Sequence, residues 1–116
     1  MRLRILCALC GLLALGGARA EDAIALLERY RCSICHAPFE TKAGPSYADV
    51  AQRHRNDPQA LAAVSDVVIK GARGRGLWHM PPHPEISPAE ARTIARYILD
   101  LTPDRAPDVE HSRRTP

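Results

Sequence analysis

The sequence predicts an all-α domain of about four short helices, and three observations support this fold class. Four segments place apolar residues at helical spacing and carry capping residues near their ends. Two long irregular loops, residues 37–45 and 71–86, separate some of these segments, and the second loop is too rich in glycine and proline for regular structure. No segment shows the alternation of a credible strand, so no sheet is predicted.

The two ends of the chain are expected to lie outside this domain. Arg2 and Arg4 precede a short apolar run that ends in Ala18-Arg19-Ala20, which is the pattern of a cleaved secretory signal. The run is well short of the ~20 apolar residues that a membrane-spanning helix needs, so no stable membrane anchor is expected. The end of the chain combines proline and charge without apolar periodicity, which predicts disorder. The predicted organisation is a signal peptide at 1–20, a domain at 21–102 and a tail at 103–116.

Removal of the signal would change both the charge and the cysteine count. The chain has 16 Lys and Arg against 13 Asp and Glu, and three of the basic residues lie in the expected signal, which leaves 13 of each sign. A formally neutral domain argues against nucleic-acid binding, which depends on a basic surface. Cys7 and Cys10 would also be lost, so only Cys32 and Cys35 remain and no disulfide framework is predicted.

The first two helices are predicted on either side of these cysteines. Asp22 is the expected N-cap of the first helix. Its inward face is expected to carry Ile24, Leu27 and Tyr30. The second helix is predicted from Ser46 to about His54, with Tyr47, Val50 and Ala51 directed inward.

The third and fourth helices carry clearer signals at their ends. Asp57-Pro58 predicts the start of the third helix, as N-cap and first-turn proline, and Gly71 predicts its end. It carries Leu61, Val64, Val68 and Ile69 at helical spacing. Ser87 and Glu90 form a predicted capping box for the fourth helix, which Pro103 is expected to end. Its inward residues are expected to be Ile94, Tyr97, Ile98 and Leu101.

The segment Cys32-Ser33-Ile34-Cys35-His36 has the C-x-x-C-H spacing that is typical of covalent c-type haem attachment. In that chemistry the two thiols add across the two vinyl groups of the haem, and the histidine that follows is a strong ligand of the iron. A domain of this size often needs a cofactor to complete its core. The sequence therefore predicts one covalently attached haem c.

Other interpretations of this cluster remain open at this point. A redox-active cysteine pair belongs near a βαβ pattern, and the sequence predicts no such pattern. A structural zinc site would need four ligands, and Cys32, Cys35, His79 and His83 could supply them. A histidine that serves only the core or the surface is the simplest alternative.

Met80 is the expected second axial ligand of a haem iron. It is the single methionine left after removal of the signal, and it lies in "WHMPPHP", where no helix face explains it. Methionine is the usual second ligand in electron-transfer cytochromes, and the prolines that follow would stiffen the loop. His79 and His83 are the competing ligands.

The order of these features resembles a short bacterial monohaem class I cytochrome c over roughly residues 22–102. The matching elements are the haem motif, Gly44-Pro45, Trp78 and Met80-Pro81-Pro82. The resemblance implies a small helical bundle around one haem c. It makes Cys32 and Cys35 the thioether residues, and His36 and Met80 the axial ligands of the iron.

The resemblance also assigns roles to residues around the haem. It implies that the Pro45 carbonyl accepts a hydrogen bond from His36, that Trp78 contacts the haem, and that Leu27 and Tyr97 meet where the first and last helices cross. Two departures from the family pattern stand out: Trp78 lies only two residues before Met80, and Arg31 replaces a glycine that often precedes the first cysteine.

The resemblance implies a periplasmic one-electron carrier that exchanges electrons with redox proteins and turns over no substrate. One alternative is a haem c subunit of a periplasmic oxidoreductase, and another is a haem enzyme or gas sensor if Met80 does not bind iron. Lys70, Arg73 and Arg75 precede Trp78 and Met80. They predict a docking patch for an acidic partner, the alternative being a solvated loop.

Overall fold

The computed structural model describes residues 18–74 and 78–102, and within these ranges the chain is mostly helical, as predicted. The elements in chain order are α1 (Ala18–Arg29), a 3-10 turn (Cys32–Ile34), α2 (Tyr47–Arg53), α3 (Ala60–Lys70), β1 (Ala72–Arg73), β2 (His79–Met80) and α4 (Pro88–Asp100). Most of the predicted signal and all of the predicted tail lie outside the described residues. Among the residues described, none of the helices combines the length and apolar character needed to cross a membrane.

The last helix, α4, is the centre of the bundle. It packs against α1, α2 and α3. The buried core cluster consists of Leu27, Tyr47, Val68, Ile86, Ala91, Ile94 and Ile98. Tyr97 packs against this cluster, which agrees with a crossing of α1 and α4 near Leu27 and Tyr97.

The predicted capping box at the start of α4 is confirmed. The Ser87 hydroxyl accepts from the backbone N–H of Glu90, and the Glu90 carboxylate accepts from the backbone N–H of Ser87. The same carboxylate accepts a hydrogen bond from the Tyr30 hydroxyl (3.1 Å) and pairs with Arg29 (3.4 Å). One side chain therefore caps α4 and ties it to the end of α1, directly before the cysteine cluster.

The prediction for α1 is wrong in two details. The helix begins at Ala18, so Asp22 lies inside it and is not its N-cap. Ile24 is 44% exposed, whereas Ala23 and Leu27 are buried. Ala23 and Leu27, four residues apart, lie near the middle of the buried face, so position 24 lies at the edge of that face.

The start of α3 also differs from the prediction, while its end agrees. The helix begins at Ala60, and Asp57 instead closes the preceding turn: it accepts from the backbone N–H of Gln59 (2.8 Å) and pairs with His54 (3.1 Å). Gly71 ends the helix with a positive φ of 74°, as the sequence predicts.

The expectation that no strand forms is wrong for the loop after α3. The strands β1 and β2 are antiparallel, with Ala72 opposite Met80 and Arg73 opposite His79, and Gly74 N–H donates to the Trp78 carbonyl (3.0 Å). Strands of two residues contain no alternation that a sequence pattern could reveal.

Candidate haem site

The chain enters the cysteine cluster through one residue in an unusual conformation. Arg31 has φ 57° and ψ 33°, the left-handed region that favours glycine. Glycine would adopt this conformation without the cost that Arg31 bears. After it, the carbonyl of Cys32 accepts from the backbone N–H groups of Cys35 (3.2 Å) and His36 (3.0 Å), which closes the segment into a compact turn.

The His36 imidazole is held from three sides. Its Nδ1 lies 2.8 Å from the carbonyl oxygen of Pro45, and its ring stacks on Tyr47 with a centroid distance of 5.7 Å. Gly44 lies so close that a Cβ there would be 2.3 Å from Cε1 of His36. Because a carbonyl oxygen can only accept, Nδ1 carries the proton and Nε2 keeps its lone pair free.

The loop after the cluster returns to it through further hydrogen bonds. The Lys42 ammonium donates to the Ser33 carbonyl (2.6 Å), and the backbone N–H of Gly44 donates to the Cys35 carbonyl (2.7 Å). Lys42 and the contacts of Gly44 and Tyr47 with His36 were not predicted from the sequence. The glycine directly before Pro45 was the available signal for the close approach, whereas nothing in the sequence distinguishes Lys42 from another exposed lysine.

The two thiols of the cluster have different environments. Cys32 is half-buried, Cys35 is exposed, and both are free cysteines. Burial raises the pKa of the Cys32 thiol above its ordinary value of 9.0, so this group is a neutral thiol at neutral pH. The pKa of Tyr47 is also raised, mainly by burial and to a smaller extent by the negative charge that Cys32 and Tyr97 would carry when ionised. The phenol of Tyr47 therefore stays protonated.

The methionine lies in a different part of the fold, on strand β2. Adjacent residues of a strand project to opposite faces, so Met80 and its cross-strand neighbour Ala72 lie on one face, and His79 and Arg73 on the other. Met80 is half-buried, whereas His79 is exposed. His83 pairs with Glu85 through Nδ1 (3.0 Å).

The donor set and the exposed apolar surface fit a haem c. The described side chains supply two free thiols, an imidazole with a free Nε2 and a thioether. Trp78 (73% exposed) and Ile34 (61%) are the most exposed large apolar side chains described. Trp78 lies two residues before the methionine, and Ile34 lies between the two cysteines. A flat apolar macrocycle held by these donors would cover such side chains. The structure does not support the alternative zinc site. Within residues 18–74 and 78–102, no three His, Cys, Asp or Glu side chains lie close enough to share a metal ion.

Comparison with known proteins identifies the family. Cytochrome c-551 of Pseudomonas aeruginosa is 36% identical to this chain over 100 residues, which cover 79% of the chain and 93% of that relative. Cytochrome c-552 of Hydrogenobacter thermophilus is 33% identical over 78 residues, with coverages of 66% and 78%. The chain belongs to the class I cytochromes c.

Solved structures agree with the fold of this cytochrome. Cytochrome c552 of Nitrosomonas europaea matches with a TM-score of 0.64 and 28% identity, over 68% of this chain and 99% of that one. The class 1 cytochrome MtoD of Sideroxydans lithotrophicus matches with a TM-score of 0.60 and 28% identity, over 70% and 94%. No family model matches the chain. As a class I cytochrome c, the protein carries one covalently attached haem c and transfers electrons rather than acting as an enzyme.

Proposed function

We propose that this cytochrome is a periplasmic one-electron carrier whose haem iron is bound by His36 on one side and Met80 on the other. The observation that carries the proposal is the 2.8 Å hydrogen bond from His36 Nδ1 to the Pro45 carbonyl. It leaves Nε2 as the nitrogen with a free lone pair, sets the orientation of the ring and raises its basicity as a ligand.

Cys32 and Cys35 are the proposed thioether residues. The hydrogen bonds to the Cys32 carbonyl hold both thiols and His36 in one turn, and Lys42 and Gly44 attach the following loop to this turn. When bound, the haem supplies a one-electron iron couple. The chain supplies the covalent attachment, the axial ligands and an apolar environment, to which Trp78 is proposed to contribute a contact.

Met80 is favoured over the two nearby histidines as the second ligand. The half-buried Met80 and the exposed His79 project to opposite faces of the β1–β2 pair, so one strand cannot present both to the same group. The Nδ1 contact of His83 with Glu85 leaves its Nε2 available, and Met80 is preferred to it because methionine is the usual second ligand of electron-transfer cytochromes. A thioether ligand raises the reduction potential, and two protein ligands leave no open iron position for a substrate, as suits a carrier.

The proposed location and partners follow from the sequence and the surface. A signal peptide at residues 1–20 would export the chain to the periplasm, where redox proteins would act as its donors and acceptors. Of the three cations in the predicted docking patch, Lys70 is paired with Asp66 (2.6 Å), and Arg75 lies outside the described residues. Arg73 is exposed, and no described acidic residue forms an ion pair with it, so it is the strongest described contributor.

Intact mass of the exported protein tests export and attachment together. We expect the chain from Glu21 onward plus one haem, with the haem retained after acid–acetone extraction. A haem that extracts freely would refute covalent attachment through Cys32 and Cys35. A product that retains residues 1–20 would refute the cleavage site.

Paired variants test the axial ligands. Met80→Ala should abolish the methionine–iron charge-transfer band of the oxidised protein, lower the reduction potential and allow carbon monoxide to bind the reduced form. His79→Ala is the matched control and should change none of these. If His79→Ala instead abolishes the low-spin spectrum while Met80→Ala is silent, the ligand assignment is wrong.

A further inference from the structure

Gly71 joins the end of α3 to the strand that faces the methionine. Its φ of 74° and ψ of −176° fall in a region that is essentially restricted to glycine. A Cβ at this position would lie 2.3 Å from the carbonyl oxygen of Met80, 2.8 Å from Pro81 C and 2.9 Å from Pro82 N. Both the backbone conformation and the close approach therefore require a residue without a side chain.

The methionine segment, residues 78–83, makes further backbone contacts with β1, with Gly74 and with the last turn of α3. Ala72 pairs with Met80 in the strands, and the adjacent Gly74 N–H donates to the Trp78 carbonyl (3.0 Å). Beyond the prolines, the backbone N–H of His83 donates to the Ile69 carbonyl in the last turn of α3 (2.8 Å).

The helix that receives these contacts is itself anchored in the core. Val64 and Val68 of α3 are buried, and α3 packs extensively against α4. The methionine segment is thus bound through its backbone on both sides of Met80, to β1 and Gly74 before it and to the anchored helix α3 after it. Trp78 and Met80 therefore lie together on the arm that pairs with residues 72–74.

We propose that Gly71 is a positioning residue for Met80, which allows the methionine segment to lie directly against the end of α3 and so holds the distal ligand in one conformation. The inference rests on the proposed role of Met80 as an axial ligand. A side chain at position 71 must separate the two backbones, because neither the Met80 carbonyl nor the prolines beside it can rotate away as a flexible side chain would. The methionine segment would then detach more often, and external ligands would reach the iron.

The test is the variant Gly71→Ala in the exported holoprotein, with cyanide as the probe of the oxidised form. Cyanide should bind about ten-fold faster, the order expected when a residue is forced into a glycine-only backbone region. The methionine–iron charge-transfer band should weaken and the reduction potential should fall, while mass shows the haem still attached.

Two controls separate positioning from a general loss of stability. Lys70→Ala changes the adjacent residue and removes its exposed ion pair with Asp66, and it should leave cyanide binding unchanged. Glu90→Ala weakens the contact between α1 and α4, far from the methionine segment in the chain, and it should lower stability without accelerating cyanide binding. Equal acceleration in Glu90→Ala and Gly71→Ala at equal loss of stability would refute the positioning role.

Further outcomes keep this inference distinct from the ligand assignment. If Met80→Ala behaves as expected but Gly71→Ala retains the band and the slow binding, only the positioning role fails. If the wild-type protein lacks the band and binds cyanide rapidly, the Met80 assignment fails and the inference fails with it. Should Gly71→Ala yield no holoprotein, hydrogen exchange of the wild type decides: the amides of Gly74 and His83 should be protected like those inside α3, and rapid exchange would refute the attachment.

Discussion

The two proposed ligands are supported in different ways. The histidine segment, residues 31–47, adds particular side chains to the backbone bonds of its turn: the imidazole bonds to Pro45 and stacks on Tyr47, and Lys42 bonds to the Ser33 carbonyl. The methionine segment is held by backbone contacts, namely the strand pair, the close approach of Gly71 and the bond from His83 to Ile69. Contacts made by side chains depend on which residue types are present. Contacts between backbones depend mainly on there being no side chain that keeps the two backbones apart.

The largest effect on this comparison is expected from Gly44→Ala in the histidine segment. The new Cβ would lie 2.3 Å from the His36 ring, which cannot move without losing its bond to Pro45 or its stacking on Tyr47. We expect a loss of about 1–3 kcal/mol, as for other overpacked sites, measured by denaturant unfolding of the holoprotein. Ala43→Ser is the matched control on an exposed neighbour, and equal stability of both variants would contradict the tight packing around His36.

A second prediction concerns the pH dependence of the contact between Glu90 and the residues directly before the histidine segment, Arg29 and Tyr30. The backbone N–H and hydroxyl of Ser87, then Tyr30 and Arg29, lower the pKa of Glu90 below its ordinary value of 4.5. The stability due to this ionised group is therefore fully present well above pH 4.5 and is lost as the pH falls through the lower folded-state pKa.

Glu90→Gln isolates that contribution, because the amide preserves the capping box but not the charge. The variant should be less stable than the wild type at pH 7, and the difference should shrink toward pH 3. Asp57 and Glu85 also have lowered pKa values, from backbone N–H bonds and histidine partners, but their effect is common to both proteins. A difference in thermal midpoint that does not vary with pH would contradict the role of the Glu90 charge.

A smaller effect is expected from Arg31→Gly at the start of the histidine segment. The left-handed conformation lowers the folding stability of a chain with a non-glycine residue there by about 1–2 kcal/mol. Glycine avoids this cost, but its greater freedom in the unfolded chain lowers the folding stability by about 0.5–1 kcal/mol. The variant should therefore be more stable by about 0.5 kcal/mol, measured as an increase in the denaturant midpoint. Arg31→Ala removes the charge but keeps the strain and should not stabilise. If both variants behave alike, backbone strain at this position is not the cause.

The smallest structural effect is expected from Arg73→Glu on the exposed face of the β1–β2 pair. It should slow electron exchange with an acidic redox partner several-fold at low ionic strength, and leave the spectrum and the potential unchanged. Rim charges act mainly on association rate and are screened over about 8 Å at physiological salt. Arg53→Glu, an exposed charge reversal at the end of α2, is the control. Equal rates for both variants at low salt would exclude Arg73 from the docking surface.

Sequence patterns predicted helix identity better than helix boundaries and faces. Ser87 as an N-cap and Gly71 as a helix end are confirmed, because each role requires a particular residue type. Asp57 carries an N-cap residue type but closes the turn before α3 instead. Ile24 fits a helical repeat but faces solvent, since the direction of α1 is set by its packing on α4.

The sequence by itself determined the fold class and the kind of cofactor, because covalent haem attachment requires two cysteines and a histidine at one spacing and helix caps require particular side chains. Only the tertiary structure decided which nitrogen of His36 is free, that Met80 and His79 lie on opposite faces, and that Gly71 lies against the methionine segment. These features depend on hydrogen-bond partners and strand register that arise when distant segments meet. Backbone groups that form such contacts are common to nearly all residues, so the sequence carries little record of them.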